Sequence, residues 1–534
     1  MIAQAFRPLV GGLPPWASRI LDSIAWSSDG SVVDLLVEFG IRCQAERLPV
    51  SRDILRHIAK NCGGQFGDLD DCLDTAIKEL RLIETHEMTD VGNAERFARE
   101  HHGHVLHCGK FGRWFIWDEK RWAQDDTGRV VELAKDTVRG IHREAFESSD
   151  EARRKALASH ANRSQSASRI QGLVTLAKSI PTLAVSPADF ERDPWLLNVL
   201  NGTIELQTAT IRPPSPRDRI RKVASAAFDP NAAAPLWERF LERIFPDADL
   251  RAFVQRAVGY SLTGDTTEQC LFLLHGNGAN GKSTFLEVIR RVLGDYALQS
   301  QADTFMVTDR RSSAASPELA RLNGARFVSA SELEQGQRLS EVLVKQMTGG
   351  EPMVARFLYG DPVEFRPAFK VWLAVNHKPE IRGTEEAIWR RIKPIPFAVT
   401  IPQDERDPNL VDRLMEEAPG ILSWGVEGCV RWRAERLGAP SAVLEDAKAY
   451  RQEMDRLADF LEDECVIGAD CRVRVADLYQ AYVRHCEQNH DRPLGKKQFN
   501  VRLVERGCQA PARGTHGQRT WRGLGLRANS EVTK

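Results

Sequence analysis

The sequence predicts a multidomain α/β protein with a parallel sheet near its middle, flanked by a helical and α+β N-terminal region and a smaller C-terminal domain. Three observations carry that expectation. Apolar strand-like runs alternate with helical stretches over residues 266–400, the order that builds parallel sheets. A glycine-rich loop of the kind that cradles phosphate sits inside that alternation. Helical periodicity governs the residues on either side of it. The 534 residues leave room for roughly three or four domains of ordinary size.

Composition excludes little but sets the class. With 42% hydrophobic and 28% charged residues, the chain can bury sizeable cores. The net charge of −1 is neutral on nucleic-acid binding, which needs only a local basic surface. Ten cysteines occur without a CxxC pair, a pattern of reduced thiols rather than a zinc ribbon. No run approaches the ~20 apolar residues that span a bilayer. Residues 1–25 are broken by Gly11, Gly12, Pro14 and Pro15, so no signal peptide is read there and a cytoplasmic protein without a membrane partner is expected.

Taken in order, residues 1–95 read as a helical region, with helix-spaced apolar positions at 31–41 and 73–83. Asp68 and Asp70 read as an acidic helix cap in preference to a metal site. Residues 96–235 read as an α+β domain: Trp114, Phe115, Trp117 and Trp122 are strand-like, with a turn at Asp118 and Glu119. The nearby His101, His102, His104, His107 and Cys108 lack a second ligand pair at finger spacing, so they read as packing or exposed groups. Residues 236–265 form a helical collar, 266–400 the α/β core, 401–450 a helical lid or linker, and 451–534 a basic domain. The clearest strands of the core are 270–274, 326–330 and 370–375.

The sharpest motif is Gly276-Asn277-Gly278-Ala279-Asn280-Gly281-Lys282-Ser283, followed by Thr284. It follows a strand-like run and opens a helix that carries Phe285, Val288, Ile289 and Val292 on one face. Glycines let backbone N–H groups turn toward phosphate oxygens, and the helix N-terminus adds its positive end. Lys282 is then expected to neutralise the β- and γ-phosphates and Ser283 to bind Mg²⁺. Such a match arises by chance roughly 0.02 times in a chain of this length. ATP and Mg²⁺ are the expected cofactors.

A nucleotide-hydrolysing site needs a second acid on a neighbouring strand. The run 326–334 supplies Glu332, the main candidate and a second Mg²⁺ ligand, with Glu334 on the same face at period two. The same acids could instead open the following helix. Asn376 ends the run 370–375 and could orient a lytic water, although a turn-forming Asn reads similarly. Arg390 and Arg391 could stabilise charge on a transferred phosphoryl group across a subunit boundary.

In this order, and together with Leu197-Asn198-Val199, Asn201-Gly202, the run 259–264, Thr348-Gly349-Gly350 and the runs 372–379 and 381–392, the segment resembles the phage and plasmid primase–helicases of superfamily 3, including their poxvirus-type relatives. The resemblance implies an AAA+-like P-loop ATPase, Lys282 and Ser283 in the Walker A loop, Glu332 as Walker B acid and Asn376 as sensor. It further implies Arg390 or Arg391 as a finger, Arg390 by preference, in a homo-hexameric ring with active sites between neighbours.

That family's function would be an ATP-dependent DNA helicase of phage, plasmid or prophage replication, translocating on single-stranded or forked DNA. Residues 345–366 read as a helix end and a hairpin with a Gly-Asp tip, which in the family tracks the strand. Lys345 and Arg356 are the candidate phosphate contacts there, and Tyr359 a stacking group. The succession of elements after 451 resembles a winged helix, with Lys496, Lys497 and Arg502 as basic candidates. Residues 1–95 are too short for a catalytic primase domain by ordinary domain sizes, so a separately encoded primase or initiator is the expected partner. The alternative is an ATPase that senses or remodels nucleic acid, as in host defence, without processive unwinding.

Overall fold

A computed structural model describes residues 87–307, 317–331, 336–356, 362–383, 385–489, 493–509, 511–513 and 519–527. The helices expected at 31–41 and 73–83, with Asp68 and Asp70, lie outside the described residues. The chain divides into two compact units. The first runs to Pro230 and includes the returning segment Leu293–Tyr296; the second holds Asn231–Val292 and the chain from Ala297 onward.

In the first unit, strand β1 (Val105–Cys108) pairs antiparallel with β2 (Arg113–Trp117), which pairs with β3 (Trp122–Gln124). The Asp118 carboxylate closes the β2–β3 turn by accepting from the N–H groups of Lys120 and Arg121 at 3.0 and 2.7 Å. The short β4 (Ala184–Val185) adds to β1 in parallel. Helices Asp90–Glu100, Arg129–Glu147 and Ala167–Ala177 bury Phe97, Val130, Val138 and Leu173 in one core. Two of the histidines pack against aromatic rings: His107 lies 4.8 Å from Trp114 and His101 4.7 Å from Phe97, both tilted, whereas His104 is exposed. Burial lowers the pKa of both, favouring neutral imidazoles.

A second antiparallel sheet comprises β5 (Leu196–Val199), β6 (Gly202–Glu205) and β7 (Thr210–Arg212). The returning segment completes its surroundings. The Tyr296 hydroxyl accepts from the Asn198 N–H at 3.1 Å, and Asp295 accepts from the Val223 N–H at 3.1 Å while pairing with Arg121.

The second unit is built on five parallel strands: β8 (Leu271–His275), β9 (Ala297–Gln301), β10 (Phe327–Ser331), β13 (Lys370–Val375) and β14 (Ile392–Pro396). The hairpin β11 (Met353–Arg356) and β12 (Pro362–Phe365) intervenes in sequence. Their spatial order is β14-β8-β13-β10-β9, so β13, late in sequence, is inserted between β8 and β10. Alternate residues serve the two faces. On one, the Trp372 ring packs against Phe272, Phe327 and Phe285, the last on helix Lys282–Leu293. On the other, Leu271, Leu273, Val371 and Leu373 share a core with Trp389 and Tyr450.

The segments expected as collar and lid pack on each other beside this sheet. Trp237, in helix Pro235–Ile244, stacks on Phe285 at 5.8 Å. Helices Ala248–Leu262 and Ala418–Glu435 cross at glycines. A Cβ at Gly259 would stand 2.0 Å from the Cys429 nitrogen, and one at Gly428 would stand 2.2 Å from the Gln255 oxygen. At the far ends of the strands, the buried Lys370 ammonium donates to the carbonyls of Thr263, Asp265 and Ala368 at 2.6–3.1 Å. Arg326 donates to the Leu262 carbonyl at 2.6 Å. Both cations thus satisfy carbonyls at and beyond the end of helix Ala248–Leu262, where the dipole also favours positive charge.

After residue 455, helices Arg456–Glu464, Val475–Gln488 and Lys496–Glu505 surround an antiparallel sheet of β15 (Cys465–Arg474), β17 (Arg519–Leu526) and β16 (Ala512–Arg513), in that order. Phe460, Leu478, Tyr482, Phe499 and Trp521 form its core. β15 begins at Cys465, and its pairing with β17 shifts register between Ile467 and Arg472. That irregularity breaks the alternation by which strands are recognised.

Candidate functional site

The site starts with the order of the strands. β8 ends at His275 and runs into Gly276; β13 ends at Val375 opposite His275; β10 ends at Ser331 opposite Ala374. The glycine loop, Asn376 and the end of β10 at Ser331 therefore lie at one edge of the sheet, the carboxyl edge, in that spatial order. With strands ~4.8 Å apart, Asn376 sits one strand from the loop and the end of β10 sits two. Carboxyl edges are where open parallel sheets bind ligands.

The loop is held in a conformation that needs glycine. Gly276 has φ of +140°, and a Cβ there would stand 2.3 Å from the Phe397 oxygen. The buried Asn280 amide donates to that same carbonyl at 3.2 Å, and the Ile401 N–H donates to the Ala279 carbonyl at 2.8 Å. The chain just after β14 thus braces the loop from one side. Lys282 is buried, and its ammonium donates to the Gly276 carbonyl at 2.6 Å across the mouth of the loop. Burial pushes its pKa down, so a group of opposite charge in the loop would relieve a desolvation penalty. Ser283 is exposed at the first turn of the helix, with Asn277, Gly278 and Ala279 exposed beside it.

A cleft of about 320 Å³ opens next to Ser283 and Thr284, between that helix and Ser331 and Ala374. Its walls include Glu287 and Arg290, which are paired to each other. A larger cavity, about 460 Å³, is lined by Trp389, Arg451, Asp455 and Arg502 and shares no residue with the loop.

The remaining candidates separate. Asn376 is exposed at the end of β13. Arg390 is exposed and donates to the Gln269 side chain at 3.0 Å. Arg391 is buried and committed, donating to the Thr348 hydroxyl at 2.9 Å and to the Ala387 carbonyl. Glu332, Glu334 and Tyr359 lie outside the described residues. Lys345 is paired with Glu385 at 2.7 Å, and Arg356 is exposed at the end of β11. Lys496 and Lys497 are exposed at the start of their helix, whereas Arg502 turns inward and donates to the Arg382 carbonyl. Sequence reasoning did not reach Phe397 and Ile401, which brace the loop through backbone atoms that no residue type reveals.

The fold and site define a mixed α/β protein whose glycine-rich loop, amide and strand-end residues share one edge of a five-stranded parallel sheet. Residues 94–246 match the family described as D5 N terminal like, residues 274–391 a family of unknown function (DUF5906), and residues 452–506 the family described as Poxvirus D5 protein-like. These matches support a D5-type primase–helicase. It is 28% identical over 317 residues to L207/L206 of Acanthamoeba polyphaga mimivirus, a protein bearing a helicase name, covering 55% of this chain and 33% of that one. It is 27% identical over 264 residues to 022R of Frog virus 3, also bearing a helicase name, covering 46% and 27%. It is 25% identical over 211 residues to C962R of African swine fever virus, which bears a primase name, covering 38% and 22%. The chain therefore spans about a third or less of the length of these relatives. Among solved structures, the A-form apo structure of the NrS-1 C-terminal region overlaps 79% of this chain and 96% of its own, with a TM-score of 0.42 and 10% identity. Among the described residues, no helix is long and apolar enough to cross a membrane.

Proposed function

We propose that the chain is a superfamily 3 DNA helicase motor that hydrolyses ATP at the boundaries between subunits of a ring and translocates on single-stranded DNA. The observation that carries this reading is the loop at 276–283: a strand end, a strained glycine and a buried lysine converge on the N-terminus of a long helix.

The residues present fit a magnesium-bound triphosphate. The Lys282 ammonium is held at the loop mouth by a single carbonyl, a bond that phosphate oxygens can replace with stronger charge-assisted ones. Backbone N–H groups at the helix start add donors that need an acceptor. Ser283 offers a hydroxyl to the metal, and the chain leaving β10 carries Glu332, the proposed acid. When bound, the metal neutralises charge developing on the phosphates. Asn376, one strand from the loop, orients the attacking water. Arg390, exposed and held by one neutral bond, suits a finger that reaches the next subunit better than the buried Arg391 does. For DNA, the hairpin β11–β12 presents Arg356, while Lys496 and Lys497 lie exposed at the head of a helix in the winged-helix-like region. The helicase and primase names of the relatives support the same class.

The test is hydrolysis and strand displacement on forked DNA by the purified chain. Lys282→Ala should abolish both while leaving the thermal melt unchanged. A Lys282→Ala protein that still hydrolyses ATP at the wild-type rate would sink the reading. Wild-type hydrolysis without displacement would instead favour a nucleic-acid-remodelling ATPase.

A further inference from the structure

Helix Ser441–Glu453 begins 50 residues after Arg391 and 65 after Asn376, yet three of its side chains reach elements that carry the proposed site. Asp446 is half-buried and contacts two residues at once. One carboxylate oxygen accepts from the Lys378 ammonium at 2.7 Å; the other meets the Nε2 of His275. His275 is the residue immediately before Gly276, and Lys378 stands two residues after Asn376. One turn on, the Tyr450 hydroxyl donates to the Pro379 carbonyl, and its ring lies 5.1 Å from the Lys378 ammonium and 5.2 Å from the Trp389 ring. Arg451 pairs with Glu386 at 2.8 Å, at the start of the short helix that ends beside Arg390.

We propose that Asp446 is a positioning residue for nucleotide turnover, fixing the glycine loop and Asn376 relative to each other by clamping the two strand ends that carry them. The inference rests on the nucleotide-site reading above. Its physics is simple. β8 and β13 are neighbours in the sheet, but hydrogen bonding between them ends at His275 and Val375. Beyond that point the chain diverges into the loop on one side and Asn376–Pro379 on the other. A carboxylate shared between His275 and Lys378 ties the diverging chains where backbone pairing stops. Because an ionised carboxylate only accepts hydrogen bonds, His275 must donate through Nε2. Burial opposes ionisation of Asp446, but the bonds and charges of His275 and Lys378 outweigh it and hold the carboxyl below the usual aspartate range. A site that hydrolyses a phosphoanhydride through an oriented water is sensitive to such ties, since a displacement of ~1 Å can cost on the order of a hundredfold in rate.

The experiment uses the full chain with ATP and single-stranded DNA. It measures kcat and KM for hydrolysis, binding of a fluorescent ATP analogue, and thermal melts. Asp446→Ala should lower kcat by roughly tenfold to a hundredfold, with analogue affinity changed by less than about threefold and the protein folded at the assay temperature. Asp446→Asn, which keeps one acceptor oxygen for Lys378, should recover part of the rate. Lys378→Ala combined with Asp446→Ala should be no slower than Asp446→Ala alone, because partners in one contact are not additive. Asp446→Ala turning over within about twofold of wild type, or losing rate only in proportion to its unfolded fraction, would overturn the proposal while an inactive Lys282→Ala leaves the nucleotide site standing. A fully active Lys282→Ala would remove the site reading, and this inference with it.

Discussion

Two adjacent arginines illustrate how a single residue's surroundings decide its role. Arg391 is buried, with its guanidinium bonded to Thr348, Ala387 and Gln269. Arg390 is exposed and donates to the Gln269 side chain. Truncating the first removes bonds and packing from the interior, which typically costs about 1–3 kcal/mol. Truncating the second should change stability by no more than about 0.5 kcal/mol. Arg390→Ala is therefore expected to melt like the wild type yet hydrolyse ATP at least roughly a thousandfold more slowly, the scale of a missing finger. Arg391→Ala should melt earlier. Calorimetry beside a steady-state assay separates the two, and the opposite pattern would assign the finger to Arg391. The sequence alone offers no such distinction, because burial of one arginine and exposure of its neighbour follow from a short helix turning into β14.

At the scale of elements, the hairpin β11–β12 has the most specific consequence. Arg356 ends β11 and faces solvent, whereas Lys345, the other basic candidate nearby, is already paired with Glu385. Arg356→Ala should weaken single-stranded DNA binding about equally for all sequences and reduce the salt slope of binding by about one. Lys345→Ala should do so less, and fluorescence anisotropy across a salt series reads both. The same contrast bears on what the sequence can tell. β8 and β13 are legible because they are buried on both faces and read as apolar runs, and β10 as a shorter run interrupted by Ser329. β14 carries Pro394 and Pro396 and β9 carries two glutamines, composition that edge strands tolerate and that hides them. The place of the glycine loop, between β8 and helix Lys282–Leu293, was legible in the apolar run before it and the helical periodicity after it. The contacts of Asp446 were not, because 171 residues separate it from His275.

At the scale of the whole molecule, the proposed mechanism shares each site between two copies. Lys282→Ala and Arg390→Ala are each expected to be inactive alone. Mixed together, they should recover part of the wild-type hydrolysis, because some boundaries then pair an intact loop with an intact arginine. Absence of any recovery across mixing ratios, with both variants folded and associating, would argue for sites complete within one copy. The compact units add a constraint of their own. Tyr296 is fully buried among residues of the first unit, and Asp295 bonds to Val223 and Arg121 there, yet both arrive only after helix Lys282–Leu293 has been made. Anyone expressing residues 87–230 as a stand-alone piece would be missing a plug contributed from further along the polypeptide. Such a truncated product should be poorly soluble or loosely packed, and a synthetic peptide spanning 291–298 added in trans would be the natural remedy to try.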